Sequence, residues 1–172
     1  QNHGINWILH RWAHVGACIL ADDMGLGKTL QTIKAASEVD GSKLVVCPRS
    51  VANTWVAELK KWGGAHSVKN IRTRDEAARV GKYFSNWIII SYDLLPYLDT
   101  GFRPGTMILD EAHNVAGRKA KRGKKLLHFA ALAENKIAIT GTPIWSRPRD
   151  YWMLFKALFG SSFGSAWDFD MA

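Results

Sequence analysis

ACILADDMGLGKTLQTIKAASEV, residues 17–39, joins a short apolar run to a glycine-bearing bend and then to a run with helical spacing. A strand over 17–22 followed by a helix over 28–39 accounts for both patterns. The bend between them, Asp22-Asp23-Met24-Gly25-Leu26-Gly27-Lys28-Thr29, suits phosphate. Two glycines let backbone N–H groups converge on phosphate oxygens, and the helix that follows points its positive dipole end at them. Lys28 would then bridge β- and γ-phosphates, and the Thr29 hydroxyl would sit on Mg²⁺. The strict pattern GxxxxGK[ST] is not met, because Asp22 stands where its first glycine belongs.

Outward from this unit the chain repeats the alternation. Further strands are expected at 43–48, 67–72, 86–92, 106–110 and 136–140, with helices at 51–62, 75–84, 120–134 and 148–159. Strands that are apolar nearly throughout, separated by helices, imply a parallel sheet buried on both faces. Val51, Trp55, Leu59 and Trp62 recur at helical spacing, as do Tyr151, Leu154, Phe155 and Leu158, giving stripes to cover such a sheet. The expected fold is therefore α/β, a doubly wound, mainly parallel sheet with helices on both faces, formed by residues 1–172 as one domain. Ligands in such folds bind beyond the carboxyl ends of the strands.

Two more strand ends carry chemistry. Met107-Ile108-Leu109 leads into Asp110-Glu111-Ala112-His113, and adjacent carboxylates after an apolar strand belong in a site or in water, since burying an unpaired charge is costly. Asp110 is placed to hold Mg²⁺, and Glu111 to orient and deprotonate a water attacking the γ-phosphate. A solvated Asp-Glu loop is the bland alternative. His113 could be a metal ligand, a switch residue or a polar surface group; with no second histidine at ligand spacing, the switch is preferred. The last strand delivers Thr140-Gly141-Thr142-Pro143, whose hydroxyls can couple to phosphate-site groups or to a bound strand, or simply make a turn.

Composition narrows the partners. Apolar residues make up 47% and charged residues 22%, which excludes a chain disordered as a whole. Lys and Arg number 23 against 15 Asp and Glu, for a net charge of +8 and a pI near 9.7. A polyanion is the favoured partner, nucleic acid before an anionic membrane. Residues 117–125, GRKAKRGKK, hold six positive charges, among them Lys121, Arg122, Lys124 and Lys125. Like charges repel, so this run reads as an open DNA-contacting segment or a localisation signal, against a merely solvated basic loop. Cys18 and Cys47 lie in apolar runs without ligand spacing and read as core residues in a reducing compartment. No apolar run approaches membrane length, so an intracellular protein is expected, nuclear in a eukaryote and cytoplasmic in a bacterium or virus. Opening on Gln1 without Met suggests a piece of something longer. Among eight tryptophans, Trp55, Trp62 and Trp152 are assigned to packing and Trp87 to a buried strand, while Trp145 beside TGTP is the candidate for base stacking. His3, His10, His14, His66 and His128 are taken as structural or exposed.

Together, ADDMGLGKT, LDEAH and AITGTPI resemble the first RecA-like lobe of the Swi/Snf-type helicase-like ATPases of helicase superfamily two. VVCPRSVANTW at 45–55 resembles that family's motif Ia, and IIISYDLL at 88–95 the segment ahead of motif II. Gln1 with Gly4-Ile5-Asn6-Trp7 is similar to its adenine-reading opening, and order and spacing agree from Gln1 to about Leu158. The family commonly carries an acidic residue where Asp22 stands. The resemblance implies ATP hydrolysis coupled to movement along double-stranded DNA. Gln1 would contact adenine, Met24, Gly25, Leu26, Gly27, Lys28 and Thr29 the phosphates and Mg²⁺, and Asp110 and Glu111 the metal and the water. Pro48, Arg49, Ser50, Ser91 and Tyr92 would lie near the DNA backbone. Trp145-Ser146-Arg147-Pro148 departs from the remodeller wording and looks more like the annealing and fork-remodelling branch. The family's second lobe, with its arginine finger, is not expected within these residues; such a finger contributes about 10³–10⁵ in rate, so binding with little turnover is expected. Two rivals remain: a lobe of an RNA helicase, and a nucleic-acid-binding module with a vestigial ATP site.

Overall fold

A computed structural model describes residues 2–23, 25–63, 67–82, 86–116, 120–141 and 151–160. Six strands, β1 (Ala17–Leu20), β2 (Ser42–Cys47), β3 (Val68–Ile71), β4 (Trp87–Ser91), β5 (Pro104–Asp110) and β6 (Asn135–Ile139), form one sheet in the order β1-β6-β5-β2-β4-β3. Every neighbouring pair is parallel. Among the described residues six α-helices accompany them: α1 (Asn2–Val15), α2 (Lys28–Ser37), α3 (Ala52–Trp62), α4 (Arg74–Ala78), α5 (Ala120–Leu132) and α6 (Trp152–Phe159). The doubly wound parallel sheet expected from the sequence is the observed one.

Residue alternation sorts the strands' side chains onto two faces. Val45, Cys47, Ile89, Ile108 and Ile137 pack in one core with Ile8 and Trp12 of α1, Ile33 of α2, and Trp55 and Leu59 of α3. Leu44, Val46, Ile88, Ile90, Met107 and Leu109 pack in a second core with Leu126 and Phe129 of α5 and Leu154 of α6. Both faces are covered, which is why these strands read as unbroken apolar runs rather than as an alternation.

Several boundaries differ from expectation, each for a local reason. Helix α1 is additional to the expected helices, although Ile5, Ile8, Leu9 and Trp12 stand at helical spacing and Ile8 and Trp12 are buried. The helix expected at 75–84 is a short α4 followed by a 3₁₀ turn at Val80–Lys82. Thr73 caps α4 by accepting from the Glu76 N–H at 3.2 Å, while Glu76 accepts from the Arg72 N–H at 2.7 Å, a reciprocal cap. The start of the helix expected at 148–159 lies outside the described residues, and α6 is described from Trp152. Lys121 to Lys125 of the basic run lie in the first turns of α5, within the helix expected at 120–134. No helix among the described residues is long and apolar enough to cross a membrane.

Candidate functional site

At the carboxyl ends of β1, β6 and β5 a cleft of about 380 Å³ is lined by Gly25, Gly27, Lys28, Thr29, Thr140, Gly141, Asp110 and Glu111. The three sequence segments therefore converge on one place, each delivered by its own strand. Gly25 and Gly27 sit at φ 85° and 75°, left-handed backbone open to glycine at little cost, and Gly27 directly precedes α2. The bend is held from behind, where the buried Gln31 donates to the Leu26 carbonyl at 3.0 Å. Leu26 is itself exposed and does not line the cleft. The Lys28 ammonium lies over the bend, donating to the Asp22 and Asp23 carbonyls at 2.6 and 2.8 Å.

Across the cleft the carboxylate pair is held differently at its two members. Asp110 accepts the Trp55 indole N–H at 2.7 Å on Oδ2 and the Glu111 amide at 3.0 Å on Oδ1. Its carbonyl accepts the Tyr92 hydroxyl at 2.9 Å. Burial pushes the Asp110 carboxyl above its usual range, opposed by those two N–H donors and by the Lys28 charge. Glu111 has φ 48°, a left-handed conformation uncommon outside glycine, and such geometry is held only where the surrounding structure fixes it. Its carboxylate lies 3.3 Å from His113 Nδ1. Asn114 donates to the Glu111 carbonyl at 3.0 Å and stands 3.1 Å from His113 Nε2. No group of three metal-ligating side chains occurs among the described residues.

Thr140 is buried between the two halves of the site, its amide bonded to the Leu20 carbonyl at 3.2 Å where β1 gives way to the bend. Gln1, Met24 and Thr142, together with Trp145, lie outside the described residues.

A second cleft, about 330 Å³, opens over the ends of β2, β4 and β3 and contains Arg49 and Ser91 with Asn53, Asn70, Arg72 and Asp93 among its lining. Arg49 and Ser50 are exposed, and Pro48 is half-buried at the turn into α3. Tyr92 corrects an expectation: its side chain is buried against Asp110, so it offers no surface to a DNA backbone. Burial and the neighbouring Asp110 charge raise its phenol well above the ordinary range. Arg122 is half-buried, paired with Asp93 and 5.9 Å over the Tyr92 ring. A counter-ion within the chain thus partly neutralises the basic run and fastens it beside the second cleft. Lys121 and Lys124 are exposed; Lys125 is half-buried near Phe129, and desolvation lowers its ammonium.

Sequence reasoning misses three contributors. It assigns Trp55 to packing, yet the Trp55 N–H reaches the site; a tryptophan on an apolar stripe carries no signal of where its one donor points. Asn53 and Asn70 gather with Arg72 only because α3 lies beside β3, with Asn70 donating to Asn53 at 3.2 Å. Helix α3 and the turn before it line both clefts, through Arg49 and Asn53 on one side and Thr54, Trp55 and Glu58 on the other.

Comparison with known proteins agrees with this geometry. Residues 1–172 match the SNF2-related domain family. The chain is 36% identical over 169 residues to Helicase swr-1 of Neurospora crassa, covering 90% of this chain and 9% of that protein. It is 33% identical over 177 residues to DNA annealing helicase and endonuclease ZRANB3 of Bos taurus, covering 96% of this chain and 16% of the relative. The Sulfolobus solfataricus SWI2/SNF2 ATPase core in complex with dsDNA superposes with a TM-score of 0.84 at 29% identity, over 98% of this chain and 37% of that one. The chain thus spans a small fraction of the length of these relatives. With its parallel sheet superposing on that core and the bend and carboxylate pair meeting in one cleft, the chain belongs to the SNF2-related domain family.

Proposed function

We propose that this chain is the ATP- and Mg²⁺-binding first motor lobe of a DNA-dependent ATPase that moves along double-stranded DNA. The observation that carries the reading is the single cleft in which Lys28 and Thr29 face Asp110 and Glu111. The donor chemistry fits a magnesium triphosphate: a cation and glycine-rich backbone on one side, hard oxygen ligands on the other. Bound there, Mg²⁺ would neutralise charge on the β- and γ-phosphate oxygens. Lys28 would exchange its two carbonyl partners for phosphate oxygens, the Thr29 hydroxyl and Asp110 would hold the metal, and Glu111 would take the proton of the attacking water. His113, against Glu111, and Thr140, between β1 and β5, are the coupling residues, together with Gly141 and Thr142, the next two in sequence. Gln1 is proposed to read adenine.

Double-stranded DNA as partner is supported by the charge of +8 and by two basic features on one surface, the Arg49 cleft and the start of α5, tied together through Asp93. A neighbouring structure was solved with dsDNA, and relatives carry helicase and chromatin-regulator names. A nuclear location follows if the source is a eukaryote. A second lobe in cis would complete the site with its arginine finger, so the 172-residue chain alone is expected to bind nucleotide with little turnover.

The test is ATPase activity of a chain extended by the second lobe, with duplex DNA, single strand or RNA added. Stimulation greatest with duplex is expected; greatest stimulation by RNA favours the RNA-helicase alternative. Glu111→Gln in the same protein should bind ATP and lose turnover, and near-normal turnover would show that another group activates water.

A further inference from the structure

We propose that Trp55 is a positioning residue for the Asp110 carboxylate, fixing the plane in which it meets the metal; this rests on the reading of Asp110 as a magnesium ligand. An aspartate's terminal torsion is broad and roughly two-fold, so a lone carboxylate at a strand end would sample many orientations. Here each oxygen has its own donor. Oδ2 takes the Trp55 indole at 2.7 Å and Oδ1 the Glu111 amide at 3.0 Å. A carboxylate has about four lone-pair sites, so one further site remains on each oxygen for a hydrated metal. Indole N–H is a donor only, carries no charge and cannot be titrated away, which makes it a fixed pointer rather than a competing cation.

Trp55 is itself packed on all sides but its donor's. Its side chain is 1% exposed within the core formed by α1, α2, α3 and one sheet face. Helix α3 packs against α2, whose first residues are Lys28 and Thr29. One rigid layer therefore sets both the phosphate bend and the orientation of the carboxylate facing it. Groups that orient metal ligands in this way typically carry about 10–100-fold in metal affinity.

The experiment uses the 172-residue chain and reads binding rather than turnover. Replacing Trp55 by 3-benzothienylalanine keeps the two-ring shape and removes the N–H; Trp55→Phe removes it with some volume. ATP affinity is measured in Mg²⁺ and in EDTA, with thermal midpoints alongside. Both variants should lose about tenfold or more of the gain that Mg²⁺ gives the wild type. Affinity in EDTA should stay within about twofold, and the benzothienyl variant should unfold cooperatively, its thermal midpoint lowered by no more than the loss of one hydrogen bond. In an Asp110→Asn background, Trp55→Phe should change the Mg²⁺ gain no further. A full Mg²⁺ gain in the benzothienyl variant would overturn the proposal, as would an undiminished Trp55→Phe effect in the Asp110→Asn background. A wild-type chain that binds ATP but gains nothing from Mg²⁺ would overturn the Asp110 assignment and this proposal together, whereas loss confined to the Trp55 variants supports both.

Discussion

Asp110 is the residue at which stability and chemistry pull in opposite directions. Burial raises its carboxyl above the usual range despite two N–H donors. A carboxyl whose folded value lies above its unfolded one favours the folded state most fully below the unfolded value, and that contribution fades as pH rises through the folded value. At neutral pH the ionised Asp110 is therefore a net cost to the ligand-free chain. Asp110→Asn should remove this part of the pH dependence of the thermal midpoint while weakening Mg²⁺-dependent nucleotide binding; a midpoint that falls with rising pH as steeply as in the wild type, in a scanning calorimeter, would contradict this. The cysteines give a second test at this scale. Cys18 and Cys47 are 3% and 0% exposed, and burial pushes each thiol up to about 12. Iodoacetamide at pH 8 should label neither in the folded chain and both after denaturation, because thiolate is the reacting form. The sequence carries the identities of Lys28, Thr29, Asp110 and Glu111, whose chemistry is local to short segments. It does not carry the direction of the Trp55 N–H or the left-handed φ of Glu111, which depend on how α3 and β5 lie against each other.

At the scale of elements, the strands are legible because a sheet covered on both faces needs apolar residues at every position. Helix α1 is equally present in the spacing of Ile5, Ile8, Leu9 and Trp12, but its start, Gly4-Ile5-Asn6-Trp7, also carries the wording of a nucleotide-reading segment, which masks the helical stripe. The basic run carries two signals, a charge that favours an open segment and a spacing that favours a helix from 120, and the helix is what forms: Asp93, distant in sequence, supplies a counter-charge where Lys121 to Lys125 enter α5. Cations at a helix's amino end oppose its dipole, so α5 gains from an added anion at that end. Replacing Lys121 and Lys124 by Ala should flatten the salt dependence of DNA binding, by roughly 0.9 in the log–log slope for each phosphate no longer neutralised. Arg122→Ala should change the slope less, since Asp93 already engages it. Titrations at several salt concentrations check both, and an unaltered slope in the Lys121/Lys124 variant would make the run a bystander. The core makes a plainer demand: Ile89→Ala, in the middle of β4 and fully buried, should cost about 2–5 kcal/mol in denaturant unfolding.

For the whole molecule, the strand order carries the function. Placing β6 between β1 and β5 sets the glycine bend and the carboxylate pair two strands apart, with Thr140 between them. On the other side of β5, β2 and β4 carry Arg49 and Ser91 to a second cleft, and the turn into α3 together with α3 joins the two. Sequence spacing predicts the sheet and the convergence at its carboxyl ends. It does not predict the layering of α3 against β3, which assembles Asn53, Asn70 and Arg72 beside Arg49. The central claim is that the bend and the carboxylate pair grip one nucleotide. Calorimetric titration of ATP with Mg²⁺ into the wild-type chain and into Lys28→Ala tests it most directly. Saturable binding by the wild type, abolished or severely weakened in the variant with its fold intact by circular dichroism, is the predicted result; equal affinity in the two chains would contradict it.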